Sequence, residues 1–522
     1  MNKLLFYIGI SFSIVFLFAS IRGMAGNPTT KDLLNPIWKA NGPFELSPES
    51  GRFALMYSVV ENHTVFFTPD TARFTRPDVG YKDGHYVSLF APALSFIVIP
   101  GYILGKALGI SQVGTFAIIS VFAILNVLLL RAISLKLGAN PLAAIIASIL
   151  FLFATPAYAY GVNLYQHHVS TFLILASIYA LLQLKTFMAM LVVFFIFGSA
   201  IPLDYPNAFF LLPISLYAGF KTFSIQKIKK KIFVKLSLFR VLTPILVIIP
   251  LLFFLWFNSA SYGSPFNVLG SSGVISVDVI DDNGKPVFDE AKIKAEKEKE
   301  LNKSSLPEKT GGLLYFKTRN LVNGFYIHFI SPDRGVLYYA PIVLFGFIGF
   351  VLAWKKRVKI VGLLVSVMLI NILLYSMWGD PWGGWAFGSR YLIPSYAILS
   401  IFIALLLTYW RKNYIFLILI SIVAIYSIFV NTLGAITTSA LPPKVQVLYL
   451  EEISGMVQKY TYERNWDMLL AGQSKSFVYQ TYLEKYLTAT QFYFILASSI
   501  VVFYLVLTVF LAISLKKKNE DI

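Results

Sequence analysis

Apolar residues recur along the chain in runs of about twenty with hardly a charge inside them, the length a helix needs to cross a bilayer. A bilayer core offers no water to unpaired peptide groups, so such runs must be helical. The pattern predicts spans at residues 4–21, 113–130, 141–158, 169–184, 187–202, 206–220, 241–257, 336–354, 360–376, 391–410, 414–436 and 490–514. No ten-residue alternation of the kind that marks a membrane barrel accompanies them. The expected fold is all-α, a polytopic transmembrane helical bundle of about 12 spans whose outer-face loops carry short juxtamembrane helices. The first run, Leu4 to Ile21, follows Lys3, and no small-x-small cleavage site comes after it, so it is read as a retained anchor.

One apolar stretch, Ser88 to Gly105, fits less well, since it carries Pro92, Pro100 and Gly101 and runs into Lys106. If it crossed, the Arg131/Lys136 turn and the Lys221 to Arg240 cluster would face opposite sides. If it lies in the interface or re-enters, the basic turns at Lys3, Arg131 and Lys136, Lys185, Lys227 to Arg240, Lys355 to Lys359, Arg411 and Lys412, and Lys516 to Lys518 all fall on one side. The positive-inside rule selects the second arrangement and places both termini in the cytoplasm of a multi-pass cell-membrane protein. The chain then divides into an N-terminal transmembrane module (1–257) that includes a first outer loop (22–112), an outer loop (258–335), a C-terminal transmembrane module (336–436), another outer loop (437–489), and a last span with a basic tail (490–522).

Composition agrees with this picture and changes the meaning of the charge. Of 522 residues 57% are hydrophobic and only 13% charged, which excludes an ordinary soluble enzyme. The net charge of +18 would raise the question of nucleic acid in a soluble protein; here it is spent on orientation, and no nucleic-acid partner is expected. Without cysteine there are no disulfides, thiolate metal sites or thiol catalysis. The Lys/Glu-rich stretch Asp289 to Lys309 reads as a solvated helix or mobile segment, and the tripeptides at Asn62 and Asn302 fit a glycosylation pattern that chance also produces.

The predicted spans carry no Asp, Glu, Lys, Arg or His in their interiors, which argues against ion-coupled transport. Candidate chemistry is gathered on the outer face. Glu49-Ser-Gly-Arg52-Phe53 could open an amphipathic helix, with Glu49 as a sheltered general base; a helix-capping acid paired with Arg52 is at least as good a reading. In Tyr81-Lys-Asp83-Gly-His85-Tyr86 the Asp-Gly pair is by default a turn, while His85 and Lys106 stand at headgroup level, where they could bind phosphate. Tyr165-Gln-His167-His168 opens a span; adjacent helical residues point about 100° apart, so the two histidines do not share one ligand, and no zinc spacing occurs. Ser331-Pro-Asp333-Arg334-Gly335 and Trp378-Gly-Asp380-Pro-Trp382-Gly-Gly-Trp385-Ala-Phe-Gly-Ser-Arg390 place arginines at the outer ends of spans. Tryptophans there are expected as interface anchors, but glycines among them let backbone approach a ligand. Arg334 and Arg390 sit where the positive-inside rule disfavours them and can bind phosphate bidentately, which makes them the strongest site candidates.

These phrases, with Ser331-Pro-Asp-Arg-Gly-Val-Leu-Tyr-Tyr-Ala-Pro and Trp385-Ala-Phe-Gly-Ser-Arg-Tyr-Leu-Ile-Pro, resemble the polytopic membrane glycosyltransferases of the GT-C class, which includes protein O-mannosyltransferases and aminoarabinose transferases. The resemblance implies a polyprenyl-phosphate sugar donor, a lipid, protein or glycan acceptor, transfer at the outer face with inversion, and Glu49 as base. It departs from the class pattern in having Glu for Asp at 49, Ser50 in place of a second acid, Phe90 before Ala91-Pro92, and His167 and His168 where an acid is common. The substrate-binding set it implies is Arg52, Asp83, His85, Lys106, His167, His168, Asp333, Arg334, Asp380, Trp385 and Arg390, with membrane lipids around the tail. Some members use a divalent cation at the phosphate, for which Asp70, Asp78 and Asp83 could supply oxygens; solvated loop carboxylates are the simpler reading, and no metal site is assigned. The rivals are a lipid-linked saccharide flippase or transporter, a non-catalytic scaffold, and an enzyme like an O-antigen ligase.

Overall fold

A computed structural model describes residues 2–228, 231–267, 274–277, 279–288 and 316–513. The Asp289 to Lys309 stretch, Asn302 and the Lys516 to Lys518 cluster lie outside the described residues. Among the described residues six helices are long and apolar enough to cross a membrane: Lys3–Ser20, Ser111–Lys136, Leu238–Tyr262, Arg390–Trp410, Tyr414–Ile436 and Ala489–Ile513. Shorter apolar helical stretches join them, Ala93–Ala107 (broken at Val98), Pro141–Phe153, His167–Gln183, Thr186–Ala200, Asn207–Phe220, Pro341–Lys355 and Val361–Ser376. The protein is a multi-pass membrane helical bundle.

At its centre runs Arg390–Trp410, in which every residue from Ile393 to Leu407 is buried. Helices Leu344–Lys355, Pro141–Phe153 and Ser111–Lys136 pack around it. Gly346 and Gly349 explain how closely one neighbour approaches: a Cβ at either would stand within 3 Å of a backbone oxygen, that of Leu399 or of Phe402. Small residues three apart therefore let these backbones meet, as expected where no hydrophobic effect drives helices together in lipid.

Two departures from the predicted spans matter for the site. The run 141–158 is not one helix; it stops at Phe153, and after Pro156, whose ring lacks an N–H, a short buried helix Ala157–Gly161 begins. This break carries Tyr160 and Tyr165 to the end of the bundle where the long loops lie. The stretch 88–105 forms two short helices, Ala93–Ile97 and Ile99–Ala107, the second lying against the start of Ser111–Lys136.

The first long loop contributes helix Ser47–Glu61, its first half buried, then helix Pro69–Thr75 and a hairpin, Val79–Lys82 with His85–Ser88, extended by Ile275–Ser276. A second hairpin, Phe223–Ile228 with Lys231–Leu236, carries part of the basic stretch. The last loop returns to the first helix, where the Phe477 N–H donates to the Ile21 carbonyl at 2.8 Å. That return anchors Arg22 beneath the first long loop.

Candidate functional site

Glu49 occupies the third position of helix Ser47–Glu61, and Pro48 before it is compatible with a first helical turn. One carboxylate oxygen, Oε2, caps the helix by accepting from the N–H groups of Glu45 at 2.9 Å and Leu46 at 3.3 Å. The other, Oε1, is buried without a hydrogen-bond partner. Capping and an unengaged oxygen therefore coexist in one side chain. Arg52 is not its ion-pair partner: its guanidinium donates to the Pro48 carbonyl at 3.0 Å and to Gln166 Oε1 at 2.7 Å, and Gln166 Nε2 donates to Asp204 at 3.0 Å.

Tyr165 lies between two arginines. The Arg52 guanidinium carbon is 5.7 Å from its ring centre and that of Arg390 is 4.7 Å. Its buried hydroxyl faces the Arg390 guanidinium without a hydrogen bond of full length and angle. Arg390 donates from Nη2 to the Gly383 carbonyl at 2.7 Å, while its Nε and Nη1 have no acceptor. His167 stacks on Tyr165, centroids 5.8 Å apart, with edges of Tyr160 and Tyr391 around it, and its Nε2 is also unpartnered. A carboxylate oxygen, two arginine N–H groups, a phenol and an imidazole nitrogen are thus left open in one buried neighbourhood. Native interiors leave few such groups, because each costs about 1–3 kcal/mol unless something fills it.

Behind this cluster stands a second buried acid. Glu45 Oε2 accepts from Arg22 at 2.7 Å and from the Ser439 N–H at 2.8 Å. Burial pushes the Glu45 carboxyl up, but Arg22 and Lys475 outweigh it and hold it below its ordinary value. Glu49 goes the other way: burial, only partly offset by Arg22 and reinforced by the charge of Glu45, lifts its carboxyl to about 7. Two acids four residues apart are driven in opposite directions by their surroundings, the arrangement that separates a permanent anion from a titratable base. Burial lowers the Arg52 guanidinium to about 10, which leaves it charged at neutral pH. Asp204 is raised by burial despite Gln166 and Arg52.

The loop from Trp378 to Arg390 is folded around arginines by its glycines. Gly383, Gly384 and Gly388 all have positive φ, 70°, 63° and 61°, which side-chain-bearing residues rarely adopt. Asp380 accepts from the N–H groups of Trp382 and Gly384 and fixes the turn. The carbonyls so exposed are taken by Arg334, which donates to Trp382, Gly384, Leu441 and Asp333 at 2.8–3.3 Å. Asp333 accepts from the Ser331 hydroxyl and the Lys444 N–H.

Of the residues singled out in the sequence, Glu49, Arg52, His167 and Arg390 are brought together. Asp333, Arg334 and Asp380 brace the loop that holds Arg390, and Trp385, half-buried, donates to Gln446 at 2.8 Å. His168 lies deeper; its Nε2 meets the Ala157 carbonyl at 2.7 Å, so Nδ1 serves as the acceptor facing Asn126. Asp83, His85 and Lys106 stand apart: Asp83 turns the hairpin, His85 stacks on Phe66, and Lys106 pairs with Glu61 at 2.7 Å. Asp70 pairs with Arg73 and Asp78 accepts from Ser47. Among the described residues no three carboxylate or imidazole groups lie together as a metal ion would need. Tyr165, Gln166, Asp204, Glu45 and Arg22 join the site without having been assigned to it from sequence.

No family model matches the chain, and no curated protein matches it in sequence. Among solved structures the chain is similar to ArnT from Cupriavidus metallidurans bound to undecaprenyl phosphate, with 11% identity, TM-score 0.42, and coverage of 97% of this chain and 77% of that one. It is also similar to the archaeal oligosaccharyltransferase AglB from Archaeoglobus fulgidus in complex with an inhibitory peptide and a dolichol-phosphate, with 14% identity, TM-score 0.35, and coverage of 96% and 56%. At these scores the likeness assigns no residue of this chain a role, and the roles that follow rest on the chain's own geometry.

Proposed function

We propose that the protein is a membrane glycosyltransferase that moves a sugar from a polyprenyl-phosphate donor to an acceptor hydroxyl at the outer face of the membrane. The observation that carries this reading is the pairing of an unengaged, buried Glu49 oxygen with the open donors of Arg390 around Tyr165. Arg390, with Arg52 on the other side of the ring, neutralises the phosphate by charge-assisted hydrogen bonds as charge grows on it. Glu49 accepts the proton of the acceptor hydroxyl, a task suited to a carboxyl titrating near neutrality. The acceptor oxygen then bonds to the anomeric carbon from the face opposite the phosphate. The carbon–oxygen bond to phosphate breaks, polyprenyl phosphate leaves with the electron pair, and the anomeric configuration inverts. The prenyl tail lies among the apolar helices, as the bundle's composition requires of a lipid substrate.

The test is mass spectrometry of glycolipids and glycoproteins from a strain lacking the gene. Wild type is expected to restore one missing glycan, and Glu49→Gln and Arg390→Ala are expected to fail while inserting normally. Full restoration by both variants overturns the site assignment.

A further inference from the structure

A groove of about 930 Å³ opens at the end of the bundle remote from Glu49, within the size range of about 300–1,000 Å³ usual for ligand sites. Its walls are the last turns of Asn207–Phe220 and Leu344–Lys355 and the first turns of Val361–Ser376. Two of these helices run from the groove to the far side of the molecule. Asn207–Phe220 starts beside Asp204, which belongs to the Arg52 cluster, and Val361–Ser376 ends beside Tyr375, which stacks on Tyr391 at 4.1 Å. A helix of this length separates the two ends by roughly 20 Å.

Leu216, Phe220 and Trp354 line the groove with much of their surface uncovered, Phe220 being 72% exposed. A second apolar groove of about 430 Å³ continues from it, sharing Leu216 and Phe220. At the rim the lining turns basic, with Lys355 and Arg357 exposed. No carboxylate is near in sequence to balance them. There is no acid between Asp204 and Asp278, and Asp380, on the opposite face, is the one acid between Asp333 and Glu451. The turn that presents these cations is itself unusual, since Arg357 and Ile360 hold φ of 52° and 54° without being glycine. At Arg357 this is the left-handed close of helix Leu344–Lys355, its N–H donating to the Trp354 carbonyl and that of Val358 to the Ala353 carbonyl, each at 3.0 Å.

An apolar trough whose basic rim makes no ion pair among the described residues, at the end of a membrane helix bundle, fits an acyl chain ending in an anionic headgroup. We propose that this groove binds an anionic glycerophospholipid of the leaflet on that side, its phosphate against Lys355 and Arg357 and an acyl chain along Leu216 and Phe220. The site is independent of sugar transfer and stands or falls separately from it.

The test is native mass spectrometry of the full chain released from mixed micelles with equal phosphatidylglycerol and phosphatidylcholine. Wild type is expected to retain one phosphatidylglycerol in about tenfold preference. Lys355→Gln with Arg357→Gln removes that preference. Gly362→Phe, at a helical position whose added Cβ would meet nothing within 4 Å, fills the trough and lowers retention. Arg411→Gln with Lys412→Gln removes equal charge outside the lining and leaves the preference intact. Equal retention of the two lipids by wild type, an unchanged preference in the Lys355/Arg357 variant, or its equal loss in the Arg411/Lys412 variant overturns the proposal.

Discussion

Two buried arginines stand on neighbouring turns of the same loop system and are treated differently. Arg334 is saturated: four carbonyls surround it, two of them from the Gly383/Gly384 turn and its preceding tryptophan. Arg390 donates from one nitrogen to the Gly383 carbonyl and leaves two without acceptors, over the ring of Tyr165, which also feels the charge of Glu49. Both are fully inside the protein, and both were singled out for the same reason, a cation on the disfavoured side. Their partners separate a brace from the proposed binding group: carbonyls take the donors of Arg334, whereas Arg390 stands over the rings of Tyr165 and Tyr391 with donors left for an anion.

The same contrast separates Glu45, held by Arg22 and Ser439, from Glu49. Glu49→Gln keeps an oxygen to cap the helix and removes only the basicity, so sugar transfer should fall by about 10²–10⁴-fold with the melting temperature nearly unchanged. Arg390→Ala should cost about 10²-fold or more in transfer rate, again with little change in thermal unfolding. Arg334→Ala should do the reverse in kind. It strips donors from four carbonyls and should cost about 3–5 kcal/mol of stability, read as loss of folded protein in a thermal-shift assay. If Arg334→Ala instead left stability unchanged while abolishing transfer, the brace and the binding group would have been confused.

The pH profile sharpens the contrast between the acids. In the proposed mechanism the base form of Glu49 is the active one, and burial lifts its carboxyl to about 7, so the rate should climb roughly tenfold per unit below that pH and level above it. The residual rate of Glu49→Gln should lack that limb. The smallest effects belong to the outlying loop: His85→Ala and Lys106→Gln should change transfer by less than about twofold, and loss of the exposed Lys106–Glu61 pair should cost at most about 1 kcal/mol.

What sequence could reveal followed from sidedness and helix length, both local properties. Apolar runs located the helices, and cations left on the loop face drew attention to Arg52, Arg334 and Arg390. Which loops meet is a long-range property, and there the reading thinned out. Lys106 stood at the right depth yet is claimed by Glu61, 45 residues earlier in the chain. Asp204 was a lone acid in a turn, and nothing in its neighbours announced that Gln166 would link it to Arg52. Arg334 and Arg390 could not be told apart, because counting acceptors requires the folded positive-φ turn between them.

In the proposed mechanism the open donors of Arg390 take the lipid phosphate. Equilibrium binding of polyprenyl phosphate to the purified full chain tests it most directly, with Arg390→Ala beside wild type. A lost charge-assisted bond of about 1.5–3 kcal/mol predicts a Kd weaker by about 10–150-fold in the variant, with an unchanged melting temperature. Equal affinity of the two proteins would mean that Arg390 does not bind the phosphate.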